Sequence, residues 1–399
     1  MTEGSLLPLF VGSFPPRQCG IATFTQDVVE HVDRDLGSLS DVIAIDDVAY
    51  TYRHGSRVIG KLLQNDHASY YRMASLIKQH PCSIVNIQHE FGLFGGEHGE
   101  WCVDLIQNCG KPVALTLHTV LPHPSAGHLQ VVRRLCSSAA RVIVLSASAC
   151  QLLVEWYGIP PEKVEMVHHG VPDADFHSTA RGKMRFGFGK CTTIATFGLL
   201  SSGKGIEHAI NALHHVVQDH PDVLYLILGA THPVVKRRDG EAYRKSLQRL
   251  IDALGLQRNV AMVDRFLSPE ELIDYLQATD VYLSPYRNPD QVVSGTLAYA
   301  VAIGTAVVST PYLYACEMLA CKRGLLVDFA SPISITRALS RLIAEPQFRN
   351  EIRMRAYEFG RKMRWPVVAA HYVRIFHQLA SGAIPSTSDG TIAFASASR

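Results

Sequence analysis

TTIATFGLLSSGKGIEHAINALHHVVQD, residues 192–219, holds the pattern that decides the fold. An apolar run, Thr192 to Phe197, breaks at Gly198 into a glycine-rich turn, and the turn opens a stretch with helical periodicity. A short buried strand, a turn and an amphipathic helix make one step of a parallel α/β sheet. The same step recurs along the chain. Upstream, strands are expected at Leu7–Val11, Val42–Ile45, Ser83–Gln88, Val113–Leu117, Arg141–Leu145 and Val164–Val167. Downstream they are expected at Val223–Leu228, Val260–Met262, Val281–Leu283, Ala306–Val308 and Gly324–Val327. Two sets of about six strands imply two similar doubly wound domains. Pro172 to Lys190, rich in Gly and charge, reads as the linker between them. Helices are expected at Pro332–Ala344 and Phe348–Lys362, with a third, strongly apolar one starting near Trp365.

At 399 residues the chain is long enough for two domains, each with its own core. Lys plus Arg is 38 against 36 for Asp plus Glu, so no global field favours nucleic acid, and any anionic ligand needs a local site. Nine scattered cysteines without a C-x-x-C pair fit reduced thiols. The first residues lack a basic leader and no apolar run reaches the length of a membrane span, so a cytoplasmic location is expected. Peripheral membrane contact and oligomeric state are left open by these residues. From Ser381 on the chain is Ser, Gly, Ala and Thr with little else, and a flexible tail is expected there.

In doubly wound domains, ligands bind beyond the carboxyl ends of the strands, so chemistry is sought in the post-strand turns. Gly20 opens a helix running to about Val32 and could admit a phosphate or sugar to its first amides. IQHEFGLFGGEHG, residues 87–99, packs His89, Glu90, Gly95, Gly96 and His98 into one loop, which reads as a sugar-contacting segment. No His-x-x-x-His spacing supports a metal there. His118 ends a strand and is the preferred polar contact of the first half. Gly198, Lys204 and Gly205 resemble a phosphate cradle, but a P-loop would need a hydroxyl where Gly205 stands. A lysine over a diphosphate, without metal or other cofactor, fits better. SPYRNPDQVVSGTLAYA, residues 284–300, offers Tyr286, then Ser294, Gly295 and Thr296 at a helix N-terminus where amides and dipole attract an anion. Carboxylates paired as in glycosidases are not evident.

These segments, together with VEMVHHGVPD at 164–173 and GTAVVST at 304–310, resemble the large family of retaining GT-B glycosyltransferases that contains bacterial mannosyltransferases, glucosyltransferases and sucrose synthases. The resemblance runs from about residue 5 to 378. It implies an α/β architecture of two Rossmann-like domains facing across a cleft: 1–175 on the acceptor side and 176–362 on the donor side. Residues 363–380 would cross back to the first domain, and 381–399 would form the tail. It also implies a hexose moved from a UDP- or GDP-sugar to a saccharide or glycan, with Lys204, His118 and Gln291 in the catalytic set. Arg265, in the loop after a strand, would help to hold the leaving diphosphate. The family's two glutamates, seven residues apart, fall here on Gln291 and Tyr299, and its arginine falls on Leu199. The rival reading is a catalytically silent GT-B module that binds nucleotide sugar or glycan and regulates or scaffolds a partner.

Overall fold

The computed structural model describes residues 6–47 and 52–382. They gather into two compact units. The first takes residues up to Leu145, then Ala149–Val167, then residues from Ala369 onward; the second takes Ser146–Ser148 and His168–Val368. Apart from the short excursion at Ser146–Ser148, the chain changes unit at Val167/His168, eight residues before the expected boundary after 175, and again at Val368/Ala369, six after the one expected at 362.

The first unit is built on seven parallel strands: β1 (Pro8–Gly12), β2 (Asp41–Asp46), β3 (Val58–Leu63), β4 (Ile84–His89), β5 (Val113–Leu117), β6 (Arg141–Val144) and β7 (Val164–Met166). Their order is β3-β2-β1-β4-β5-β6-β7. Six of these match the expected runs within a residue or so. The strand β3 was not expected, because at the sheet's edge only one residue of VIGKLL is buried and the hydrophobic signal is weak. The second unit has six: β8 (Thr192–Phe197), β9 (Val223–Leu228), β10 (Val260–Val263), β11 (Val281–Ser284), β12 (Ala306–Ser309) and β13 (Leu325–Leu326), in the order β10-β9-β8-β11-β12-β13. Both orders reverse direction at one place, between β1 and β4 and between β8 and β11. In such sheets that reversal leaves a crevice at the strands' carboxyl ends.

Each face of the second sheet carries its own apolar core. One contains Ile206, Ile210, Leu213, Leu339 and Ile352; the other contains Tyr282, Leu297, Ala302, Tyr312 and Met318. The helix Gly295–Ile303 is apolar all round and buried from Leu297 to Ile303. The helix Pro346–Gly360 comes so near it that a Cβ on Gly360 would stand 2.4 Å from Ala302 Cα.

The segment expected to be a linker is part of the second unit. Thr179–Phe186 is a helix, N-capped by Ser178 and ended by left-handed Gly187. Its Lys183 forms an ion pair with buried Asp280, and the same carboxylate accepts from Thr179 Oγ1 at 2.7 Å and Thr193 N at 2.9 Å. Phe186 stacks on Tyr275 with ring centroids 4.3 Å apart. Polar anchoring rather than an apolar stripe orders this helix, which is why its sequence reads as irregular. Just upstream, Val171 N donates to Met363 O at 2.9 Å and Trp365 N donates to Val171 O at 3.0 Å, while Asp173 takes Arg361 and Arg364.

The last helix, Trp365–Ala380, ends within the first unit. Tyr372 and Phe376 are fully buried, and Phe376 meets Phe10 of β1 edge-on at 6.0 Å. Of the expected tail, residues 383–399 lie outside the described residues. Phe376→Ala should lower the stability of the first unit by about 3–5 kcal/mol, the usual loss for emptying a buried phenyl site. Calorimetry should show the first unit's transition moving down while the second's stays; an unmoved first transition would show that the helix contributes nothing to that core.

Candidate active site

In the second unit the crevice between β8 and β11 is shaped by glycines. Gly198 leaves β8 at φ 122°, where a Cβ would lie 3.2 Å from Thr296 Cγ2 and 3.4 Å from Lys204 Nζ. The left-handed Gly205 (φ 63°) ends the turn, and a Cβ there would sit 2.1 Å from Pro285 O, so no other residue fits. Gly229 after β9 is as tight, its missing Cβ falling 2.2 Å from Gly198 O. These approaches bring three post-strand turns together.

Lys204 is aimed by them at Tyr286. Its ammonium donates to the Tyr286 hydroxyl and lies 4.0 Å from the ring centroid. Tyr286 Oη is 2.7 Å from Thr296 Oγ1, which is 3.1 Å from Ser294 Oγ. Burial pushes the Tyr286 phenol up, but the Lys204 charge and the hydrogen bonds from Lys204, Thr296 and Ser294 outweigh it, and the group ends below the ordinary tyrosine value. Ser294 caps the helix Gly295–Ile303 by accepting from Leu297 N. The amides of Gly295 and Thr296 then have no acceptor among the described residues. One ammonium, three hydroxyls and two helix-end amides thus share a small volume, which suits an anion.

The other expected residues are placed as follows. Gln291 turns its Nε2 onto Val293 O at 2.9 Å. Tyr299 is buried, with its ring 6.4 Å from both His169 and Phe197. Arg265 is not gathered into the cluster: half-exposed, it pairs with Glu271 at 2.7 Å. The Glu271 carboxylate also accepts from Ser268 N at 3.1 Å, closing the capping box of the helix Pro269–Gln277, so Arg265 serves that capping site. Two residues here were not anticipated. His169 Nε2 lies 2.9 Å from where a Gly295 Cβ would be, with burial lowering its pKa to about 4. Arg244, almost fully buried, reaches Gly229 O at 2.6 Å and Asp264 at 2.8 Å. Both lie in distinctive stretches, VHHG at 167–170 and GEAYR at 240–244, which carried the available signal.

In the first unit the crevice between β1 and β4 gathers His118, Gln88 and Phe24. His118 Nε2 is 2.8 Å from Gln88 Oε1, and its ring meets Phe24 edge-on at 4.8 Å. Gly20 starts the helix Gly20–Leu36 with open space beside it, so no steric demand for glycine exists there; the demand falls on Gly12, whose Cβ would be 3.0 Å from Gln88 Cβ. In the 87–99 loop, Gly95 and Gly96 have packing reasons: their Cβ atoms would strike Gln64 O at 2.2 Å and the Glu100 carboxylate at 2.3 Å. Glu90 accepts from Thr119 Oγ1 at 2.6 Å and Phe91 N at 2.9 Å, and burial raises its carboxyl above the usual range. The His98 ring lies tilted by 36° against His128, with centroids 4.1 Å apart. His89 is fully buried, stacked on Phe94, and neither ring nitrogen has a hydrogen-bond partner among the described residues. Burial alone brings its pKa down to about 3. Among the described residues no three of His, Cys, Asp and Glu are arranged to hold a metal ion, and no helix is long and apolar enough to cross a membrane.

Two family descriptions match the chain: "Glycosyl transferases group 1" over residues 187–361 and "Glycosyltransferase Family 4" over residues 24–175. Among curated relatives, the D-inositol 3-phosphate glycosyltransferase of Streptomyces bingchenggensis is 26% identical over 65% of this chain and 57% of its own length. The same-named protein of a Nocardioides species is 26% identical over 75% of this chain and 68% of its own. The chain thus spans under two thirds of the first relative's length. Among solved structures, Anabaena HepE in complex with UDP and glucose superposes with a TM-score of 0.74 at 16% identity over 94% of this chain and 100% of that one. Sucrose-phosphate synthase from Thermosynechococcus elongatus gives 0.78 at 16% identity over the same shares, 94% and 100%.

His89 gives this site a pH signature. Folded, its imidazole binds a proton only near pH 3, against 6.5 for the free group. Below about pH 6.5 the unfolded chain therefore takes up a proton that the folded one refuses, and stability falls as pH drops, by up to about 1.4 kcal/mol per unit for this residue. His89→Phe should flatten the urea-midpoint profile between about pH 6.5 and 4.5; equal slopes in both proteins would contradict the buried neutral imidazole.

Proposed function

Because the chain belongs to the group 1, family 4-like glycosyltransferases and has their GT-B fold, we propose that it moves a hexose from a nucleoside diphosphate sugar, UDP- or GDP-linked, to a hydroxyl of a saccharide or glycan. The reaction is metal-independent and retains anomeric configuration in this reading. The observation that carries it is the convergence of Lys204 Nζ, Thr296 Oγ1 and the first amides of the helix Gly295–Ile303. When the bond between the anomeric carbon and the diphosphate oxygen breaks, its electron pair goes to the diphosphate. The growing negative charge meets a cation and a helix N-terminus already in place, and such preorganised charge complementarity is a large source of rate enhancement.

Tyr286 then holds Lys204 while the diphosphate is absent and yields it when the diphosphate binds. Gln291 stands where the family has a glutamate, and its amide would bond a sugar hydroxyl; Tyr299 would offer its phenol to the ribose. In the first unit, His118 and the 87–99 loop with His89, Glu90 and His98 would contact the hexose and the acceptor. The names of the relatives, which join glycosyl transfer to a phosphorylated polyol, and the UDP and glucose held by the Anabaena structure support this class of donor and acceptor.

Lys204→Ala should weaken UDP or GDP binding by about 1.5–3 kcal/mol, the range for a charge-assisted hydrogen bond, with the fold intact. Calorimetric titration checks it, and unchanged affinity would place the diphosphate elsewhere. Transfer should also survive EDTA, because Lys204 and the helix end do the work of a cation. Loss of activity on chelation with recovery in Mg²⁺ or Mn²⁺ would overturn the metal-free mechanism, whereas tight nucleotide binding without turnover across an acceptor screen would favour a regulatory module.

A further inference from the structure

Inside the first unit, Asn86, Gln88, Thr116, His118 and Tyr372 form one hydrogen-bonded line, and all five are buried. Asn86 and Gln88 are two apart in β4 and so share a face. Parallel register sets Asn86 beside Ala114 and Gln88 beside Thr116 of β5. The direction of every proton along the line follows from one backbone group.

The Ala114 carbonyl can only accept. Asn86 therefore presents Nδ2 to it, at 3.0 Å, and its second N–H reaches Thr116 Oγ1 at 3.2 Å. This turns Asn86 Oδ1 toward Gln88, which must answer with its own Nε2. Gln88 Oε1 is then the atom facing His118 Nε2, at 2.8 Å. An amide oxygen only accepts, so His118 Nε2 carries the proton. Flipping Asn86 would press its oxygen on the Ala114 carbonyl, and flipping Gln88 would press its oxygen on Asn86 Oδ1. The far end is closed by Tyr372 of the last helix, whose hydroxyl is 3.3 Å from Thr116 Oγ1. Gly12 makes room for Gln88, since a Cβ there would press on Gln88 Cβ and on Thr25 Oγ1, both at 3.0 Å. The edge of Phe24 fixes the ring plane.

We propose that Asn86 and Gln88 are positioning residues that hold His118 with its proton on Nε2, the nitrogen that faces Gln88 Oε1. The placement of the proton stands on geometry alone. Its use in sugar transfer rests on the function proposed above for His118.

The test uses the full chain labelled with ¹⁵N-histidine. Long-range ¹H–¹⁵N correlation reads the tautomer, with His118 assigned by the signals lost in His118→Asn. The wild-type chain should show the Nε2–H pattern. Asn86→Leu removes the group that orients Gln88 and should give mixed tautomers. It should also cut kcat for sugar transfer roughly tenfold while the donor KM moves less than about twofold, as expected when a contact is misaligned rather than removed. An Nδ1–H pattern in the wild-type chain overturns the proposal even if no variant folds, and so does a pure Nε2–H pattern in Asn86→Leu. If His118→Asn is inactive while Asn86→Leu keeps full kcat, the positioning role fails. If His118→Asn itself is fully active, the fault lies in the functional reading of His118.

Discussion

A carbonyl oxygen, that of Pro285, stands 2.1 Å from where any side chain on residue 205 would begin, and another, that of Gly198, stands 2.2 Å from where one on residue 229 would begin. These approaches are closer than any Cβ tolerates, and the arrangement of the second unit's crevice depends on them. They draw the turns after β8, β9 and β11 inward until Lys204 meets Tyr286 and Thr296. A methyl group at either glycine would push the turns apart and move the ammonium away from the helix end. Backbone proximity is fixed first, and side-chain chemistry is hung on it.

Most of the architecture was legible in the chain, because buried parallel strands are short apolar runs whatever they carry afterwards. The strands of both sheets were visible for that reason, save β3, whose edge position leaves most of it uncovered. The helix Thr179–Phe186 escaped because a buried ion pair and an aromatic stack order it, and neither leaves a periodic mark. At the site, the residues that announce themselves locally, Lys204 and Ser294 through Thr296, lie together in the structure. Arg265 was picked for its charge and its place after a strand, but its nearest acid, six residues on, decides where it points. Gln88 and Asn86 were hidden because two amides in an apolar strand look like ordinary strand polarity until Ala114 and His118 are seen at either end.

The two crevices solve a shared problem in different ways. In one, a cation is held ready by a phenol instead of a carboxylate, so Lys204 has no formal negative charge to leave when an anion arrives. A phenol, even one made more acidic than usual, grips an ammonium less firmly than a carboxylate would. In the other, an imidazole is given a direction by a run of amides that carries no net charge at all.

The polar line through Gln88 ends on Tyr372, and that has a consequence for how the molecule is made. A ribosome delivers β1 long before Tyr372, yet both belong to one unit. The second unit, nearly continuous from His168 to Val368, has all but a few of its residues in hand before the first has its final helix. The usual order, in which the amino-terminal domain closes while the rest is still being synthesised, is therefore reversed here for the finished core. Until the last helix emerges, the face of the first sheet that will receive Phe376 is bare apolar surface, carried by the nascent chain while the second unit is made.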